Sequence, residues 1–459
     1  MMFRGTIRGI HFVGIGGIGM SGIAEVLITQ GFRVTGSDIK AGQSVRRLRK
    51  LGAEIFIGHD ESNIGDADVV VRSTAVGTSN PEIEEARRRM VPVIRRAEML
   101  AELMRLKHGI AVAGTHGKTT ITSMLATCLG AGSFDPTIVI GGRLDSLGGT
   151  NARLGSGDYL VAEADESDGS FLYLSPAVAL VSNIDKEHLD HHGTMEALKS
   201  TFLDFIRKVP FYGFAVLCID HPVVQSMVPE VGRRVVTYGF AKTAMYRPSD
   251  VVNTGLKTQF NLFRQDECLG QISMDMPGRH NVCNAVGAIA VAMELGMAFK
   301  DVAKSLDGFT GVRRRFTVRG EAGGITVVDD YGHHPVEIEA TLSAAGEAFP
   351  KSRVIAVFQP HRYSRVSELY DEFCTAFNQA EHVVVCPVYA AGEVPIEGVS
   401  HHGIADDMRR RGHRGVHAVD SLDQAEEYIL GIAGEGDVVI TLGAGNVNAI
   451  CEPLLERMG

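Results

Sequence analysis

Seven residues, Gly114-Thr115-His116-Gly117-Lys118-Thr119-Thr120, follow the apolar run Ile110–Ala113 and open the amphipathic stretch Ile121–Leu129. A strand that breaks at glycine and restarts as a helix belongs to layered α/β folds, where parallel strands are crossed by helices. The same turn is a phosphate cradle. Backbone N–H groups at the helix start point at phosphate oxygens, and the helix dipole favours negative charge there. Lys118 is placed to reach the outer phosphates and Thr119 to put a hydroxyl on Mg²⁺. The first glycine of a full P-loop would fall at position 112, which is Val112 inside the strand, so this loop is a shortened one. Gly114, Thr115, His116, Gly117 and Thr120 complete the candidate nucleotide contacts.

A second glycine turn lies near the start. Ile10–Val13 reads as a strand, Gly14-Ile15-Gly16-Gly17-Ile18-Gly19 follows it, and a helix runs to about Gln30 with Gly31 as its cap. The next strand, Arg33–Gly36, ends at Ser37-Asp38, and a third, Val69–Val71, leads to Ser73. The spacing fits a dinucleotide fingerprint with Asp38 on a ribose hydroxyl. A nucleotide-sugar diphosphate offers the same pyrophosphate and ribose, so NAD and a sugar nucleotide both remain open from these residues. Two phosphate-binding turns suggest two phosphorylated ligands held at once.

The chain divides into three expected segments, 1–107, 108–312 and 313–459, with no low-complexity linker. The second segment has candidate strands Ile110–Ala113, Thr137–Ile140, Tyr159–Ala162 and Ala177–Ser182, short alternating runs from Arg234 to Met274 that suggest antiparallel strands, and a helix over Asn281–Leu295. The third has parallel candidates Ile325–Val328, Val354–Phe358, Val383–Cys386 and Val438–Thr441, the last ending in Gly443-Ala444-Gly445. The expectation is three α/β domains: Rossmann-like, P-loop ATPase-like with a mostly parallel sheet, and Rossmann-like again.

Glu163-Ala164-Asp165-Glu166-Ser167-Asp168 follows the strand Tyr159–Ala162 directly. Four carboxylates in six residues repel one another unless a cation compensates. Mg²⁺ suits such a site, because it takes oxygen ligands and keeps several waters. Glu163, nearest the strand end, is the first candidate ligand. The stretch Asn183–Asp190 should emerge beside it, with His188 a candidate for a second cation. His191-His192 and His401-His402 read as surface residues.

Net charge is −10 with a pI near 5.9, and there is no Lys/Arg block, so no nucleic-acid footprint is expected. The seven cysteines include no C-x-x-C pair, which indicates neither a zinc site nor a disulfide framework and suits a reducing compartment. No run reaches membrane-spanning length and no cleavable apolar leader opens the chain, so a cytoplasmic protein is expected, with a homodimer as a candidate assembly.

Taken together the motifs resemble the Mur ligase family. They are Gly-Thr-His-Gly-Lys-Thr-Thr, Glu163-Ala-Asp-Glu-Ser-Asp, Gly278-Arg-His-Asn-Val-Cys-Asn284, Arg314-Arg315-Phe316, Asp329-Asp330-Tyr331-Gly332-His333-His334-Pro335 and Gln359-Pro360-His361-Arg362-Tyr363, in the family's order. The resemblance implies that the first domain binds the UDP part of the substrate and not NAD, through Gly16, Gly17, Ser37 and Asp38, with Ser73 and Asn80-Pro81-Glu82 on other substrate-side loops. It implies that Lys118 contacts ATP, that Thr119, Glu163 and His188 serve Mg²⁺, and that His280, Asn281 and Asn284 lie near the adenine. Arg315 and Asp330 become nucleotide contacts, and Tyr331, His361, Arg362 and Arg365 the region receiving L-alanine. Lys199 is the nearest candidate for the carbamylated lysine of some relatives. The implied activity is ATP-dependent joining of L-alanine to the lactyl carboxylate of UDP-N-acetylmuramate in peptidoglycan synthesis, through an acyl phosphate, with Lys118, Glu163, His188 and Arg362 as the catalytic set. Rivals are a ligase of the family that adds a recycled peptide, an NAD-dependent oxidoreductase, and a noncatalytic nucleotide switch.

Overall fold

The computed structural model describes residues 7–144 and 150–459. Three sheets carry the architecture. The first joins β1 (Gly9–Val13), β2 (Arg33–Asp38), β3 (Glu54–Ile57), β4 (Val69–Arg72) and β5 (Val93–Arg95) in the order β3-β2-β1-β4-β5, all parallel. The chain reverses its direction of winding between β1 and β4, which is where ligands bind in open parallel sheets. Gly14, after β1, and Ser73, after β4, stand at that crevice.

The second sheet has ten strands: β6 (His108–Ala113), β7 (Thr137–Leu144), β8 (Thr150–Arg153), β9 (Tyr159–Glu163), β10 (Val178–Val181), β11 (Phe214–Cys218), β12 (Val235–Tyr238), β13 (Tyr246–Thr254), β14 (Lys257–Arg264) and β15 (Glu267–Met274). β6 lies between β10 and β9, parallel to both. Its Ile110, Ala111, Val112 and Ala113 have no exposed surface. That unbroken apolar run is what a strand covered on both faces requires. Helix Lys118–Ala131 then packs Ile121, Met124, Leu125, Cys128 and Leu129 inward.

The third sheet joins β16 (Thr317–Ala322), β17 (Ile325–Asp330), β18 (Val354–Phe358), β19 (His382–Val385), β20 (Val416–Ala418) and β21 (Val438–Leu442) in the order β16-β17-β21-β18-β19-β20. By contacts the chain forms two compact units. One comprises Met1–Ser249, Leu262–Gly270 and Cys283–Leu306, the other Asp250–Asn261, Gln271–Val282 and Asp307–Gly459.

Several expectations change. β12 pairs in parallel with β11 and β13, so the alternating stretch becomes antiparallel only after it, where two-residue turns join β13, β14 and β15. β16 runs antiparallel to β17 on the edge of the third sheet, which is therefore not wholly parallel. The first helix is Ile18–Thr29, capped by Gln30, and Gly31 with φ 89° sits one residue beyond. Strands β3, β5 and β20 are short, and they and β16 are partly exposed, which leaves them a weak apolar signature.

Candidate active site

The loop after β6 is held by the loop after β10. Thr115 N–H donates to Asn183 O (3.0 Å), His116 N–H to Asn183 Oδ1 (2.7 Å), and Ser182 Oγ to His116 O (2.7 Å). Thr115 Oγ1 accepts from Asp185 N–H at 2.9 Å. Gly114 (φ 131°) and Gly117 (φ 83°) adopt backbone conformations that side chains disfavour. Neither has room for a methyl. A Cβ would lie 2.2 Å from Ser182 Oγ at Gly114 and 2.6 Å from Asn284 Oδ1 at Gly117. The turn is thus packed tightly against its protein neighbours, Ser182 on one side and Asn284 of helix Arg279–Glu294 on the other.

Lys118 begins its helix and folds back over the loop. Its Nζ donates to Glu166 Oε1 (2.8 Å) and Oε2 (2.9 Å), to Gly114 O (2.5 Å) and to Thr115 O (3.1 Å). Glu166 is almost fully buried, and burial pushes its carboxyl up to about 7 against the pull of Lys118. Burial also works against the charge on Lys118, but Glu166, Asp165 and Glu187 override it and raise the ammonium. His192 Nε2 donates to Glu166 O at 2.8 Å, so this histidine braces the acidic loop and is not a bystander on the surface. Glu163 closes β9, paired beside Val112, and His188 caps helix Leu189–His192 with φ 60°. Neither belongs to a group of three acidic, histidine or cysteine side chains with ligand atoms within 4.8 Å of one another among the described residues. Thr119 and Glu163 offer hard oxygens, which fit Mg²⁺ with waters completing its shell, while His188 offers an imidazole nitrogen and both oxygens of Glu166 are taken by Lys118. Thr120 is buried, 5% exposed. Asp185 also stands between two imidazoles, His116 Nε2 at 3.4 Å and His221 Nε2 at 3.2 Å. Lys199 is paired with Glu230 at 3.0 Å, away from this loop.

In the first sheet Asp38 Oδ2 accepts Gly16 N–H at 2.8 Å and fixes the glycine turn. Gly17 caps helix Ile18–Thr29 and is exposed. Arg96 covers Gly19, where a Cβ would meet Nη1 at 2.8 Å, and reaches Asp165 at 3.3 Å. The Ser37 side chain is fully buried; its hydroxyl donates to Glu82 Oε2 (2.5 Å) and meets His59 Nδ1 (3.0 Å), so it props the turn from behind. Glu82, also fully buried, accepts from Asn63 Nδ2 at 2.6 Å and faces His11 Nε2 at 3.5 Å. Burial alone would raise this carboxyl, yet the bonds from His11, Ser37 and Asn63 hold it at about 2.

The second unit gathers its own group. Asp330 accepts Phe316 N–H (2.6 Å) and Gly332 N–H (2.7 Å), pinning the Arg314-Arg315-Phe316 turn in which Arg314 and Phe316 have φ of 61° and 48°. Arg315 lies over the Tyr331 ring at 5.3 Å and pairs with Glu337 at 3.3 Å. Burial, then Arg315, pushes His280 down to about 4, so it is neutral at pH 7. Asn281 is 2% exposed and donates to Pro277 O at 2.7 Å, which turns it to holding the helix start and not to presenting a free amide. Rings run from Tyr331 through His333 and His361 to Tyr389 at centroid spacings of 5.3, 6.0 and 5.5 Å. Arg365 Nη1 lies 3.3 Å from His361 Nδ1. Burial, then His333 and Arg365, brings His361 down to about 4. Arg362 opens helix Tyr363–Glu368 with φ 66° and an exposed side chain.

Sequence reasoning passed over Glu166, His192 and Gln359. Gln359 accepts Asn446 N–H (2.9 Å) and Val447 N–H (3.1 Å) and so clamps the last glycine turn. Glu166 stood in the acidic run, but its distance from Lys118 is a tertiary fact.

Family models match in three consecutive blocks, described as Mur ligase family, catalytic domain (residues 9–108), Mur ligase middle domain (112–292) and Mur ligase, glutamate ligase domain (314–445). The chain belongs to the Mur ligase family, a three-domain α/β architecture with mostly parallel sheets. It is 55% identical to a UDP-N-acetylmuramate–L-alanine ligase from Geobacter sp. (strain M21), covering 99% of this chain and 98% of that one. It is 56% identical to the same-named protein of Syntrophotalea carbinolica, over 98% of each. Among solved structures, a UDP-N-acetylmuramate-alanine ligase from Thermotoga maritima superposes with TM-score 0.83 at 32% identity, covering 98% and 99% of the two chains. A murein peptide ligase from Psychrobacter arcticus, 24% identical with TM-score 0.72 over 98% and 99%, shares the fold.

Proposed function

We propose that this chain joins L-alanine to the lactyl carboxylate of UDP-N-acetylmuramate at the expense of ATP, a step of peptidoglycan precursor synthesis. The observation that carries the proposal is the glycine turn in which Lys118 is clasped by buried Glu166 at a helix start, in a chain more than half identical to alanine ligases over nearly its whole length. Boundaries at 1–107, 108–312 and 313–459, a cytoplasmic location and a homodimeric assembly complete the proposal. No helix among the described residues is long and apolar enough to cross a membrane.

The lactyl carboxylate attacks the γ-phosphorus of ATP and ADP leaves, giving an acyl phosphate. Loop amides of Gly114–Thr120 and the Lys118 ammonium hold the phosphates in line and stabilise the charge that develops on them. Thr119, Glu163 and His188 would hold Mg²⁺, which would supply further charge neutralisation. Asn284 supports the loop, and His280, Asn281, Arg315 and Asp330 shape the nucleotide region of the second unit. Gly16, Gly17, Asp38 and Ser73 hold the UDP portion, with Ser37 acting through the turn. The alanine amine then attacks the acyl carbon, the tetrahedral intermediate collapses, and phosphate departs. Arg362 and Arg365 suit a carboxylate, because a guanidinium offers paired donors. Tyr331 and the neutral His361 line the same cluster.

The test is ADP release by the purified chain with each substrate omitted in turn. Release that requires both UDP-N-acetylmuramate and L-alanine is expected. Release with a murein tripeptide in place of alanine, or without any amino acid, would overturn the proposal.

A further inference from the structure

We propose that Cys218, Cys283 and Asp220 form a binding site for a thiophilic divalent cation of the Zn²⁺ and Cd²⁺ class. Cys218 ends β11, and Cys283 lies 65 residues further on, in the first turns of helix Arg279–Glu294. No local sequence motif announces such a pair. Their sulfurs stand 3.6 Å apart. A disulfide needs about 2.05 Å. Two thiolates sharing a tetrahedral Zn²⁺, each at about 2.3 Å, are about 3.8 Å apart. That spacing is an S–H···S hydrogen bond while the thiols are protonated, and it also suits a cation shared by the two thiolates.

A carboxylate oxygen of Asp220 completes the group, all three ligand atoms lying within 4.8 Å of one another. Asp220 is already oriented, because Phe240 N–H donates to Oδ2 (2.6 Å) and Ala241 N–H to Oδ1 (2.8 Å). Each oxygen keeps a second lone pair for a cation. Cys218 is buried, Cys283 half-buried and Asp220 exposed, which gives the cation an entry from solvent, and the buried Tyr238 phenol faces the same group. Two sulfurs and one oxygen leave a fourth position for water, and that donor set selects softer cations over Mg²⁺. The next residue, Asn284, is the one packed against Gly117 of the loop after β6.

The experiment titrates Cd²⁺ into the reduced full-length protein and follows the ultraviolet thiolate-to-cadmium band. A Cys268→Ser background removes the exposed thiol, and the band is silent to the nitrogen and oxygen donors of the His401, His402 and Asp420 cluster. Saturation at one equivalent is expected, with affinity falling at least about tenfold in Cys218→Ser and in Cys283→Ser. X-ray absorption on the Zn²⁺-loaded unaltered chain should count two sulfur ligands, which keeps the test independent of how the variants fold. A band that survives loss of both cysteines, the absence of a saturable band, or fewer than two sulfurs around Zn²⁺ would overturn the site.

Discussion

At single positions the phosphate loop is defined by what cannot be there. Gly117 combines a φ of 83° with a Cβ position 2.6 Å from Asn284 Oδ1. Gly117→Ala should cost about 1–2 kcal/mol from backbone alone, with nucleotide affinity falling further, and Asn284→Ala should return part of the stability in the double variant. Melting curves of the four proteins and ATP titration check this. Lys118→Ala should lower alanine-dependent ADP formation by at least about 100-fold while circular dichroism stays native, since Glu166 with its carboxyl pushed up to about 7 can take a proton once its partner is gone. Near-normal turnover would remove Lys118 from the ATP site. Glu82 makes a different kind of prediction. Its folded value of about 2 lies below the ordinary 4.5, so between these values the unfolded chain binds more protons. Its contribution is complete above about pH 4.5 and drains away as pH falls toward 2. Urea melts from pH 5 to 3 should show a shallower acid decline in Glu82→Gln than in the unaltered chain.

Among elements, the turn preceding β16 shows how one carboxylate can organise a segment. Asp330, at the end of β17, receives N–H groups from both Phe316 and Gly332, and the strained Arg314-Arg315-Phe316 backbone depends on it. Asp330→Ala leaves those donors unanswered, at about 1–3 kcal/mol each when buried. Arg315 should then lose its position over Tyr331, and nucleotide affinity should fall more than alanine affinity. Isothermal titration with each ligand separates the two. This level also shows what could be seen in advance. The two glycine turns were legible because positive φ and close approach demand glycine, and because an apolar strand precedes each. The Glu82 network was not. His11, Ser37, Asn63 and Glu82 come from β1, β2 and two separate segments after them, and nothing local links them, so the support that buried Ser37 gives the turn has no mark in the sequence. Cysteine spacing is silent for the same reason, since Cys218 and Cys283 meet only through the packing of a helix start on a strand end.

For the chain as a whole, the sequence shows three alternating α/β segments, while the contacts form two compact units whose boundaries cross strands β13 to β15. The edge strand β16 escaped notice because neither of its faces is buried, which leaves no apolar alternation to read. A molecule with two densely connected units should not unfold in a single step. Calorimetry is expected to give a van't Hoff enthalpy below the calorimetric one; a ratio of one would mean the units melt together. The parked lysine has a consequence at this scale too. Because Lys118 comes with its own resident counterion in Glu166, any visitor gains only the difference between its charge and the one it displaces. Weak anions at cellular abundance would find little advantage in the exchange, whereas a polyphosphate arriving with its own cation would. The loop thereby filters its occupants by charge density before shape is consulted.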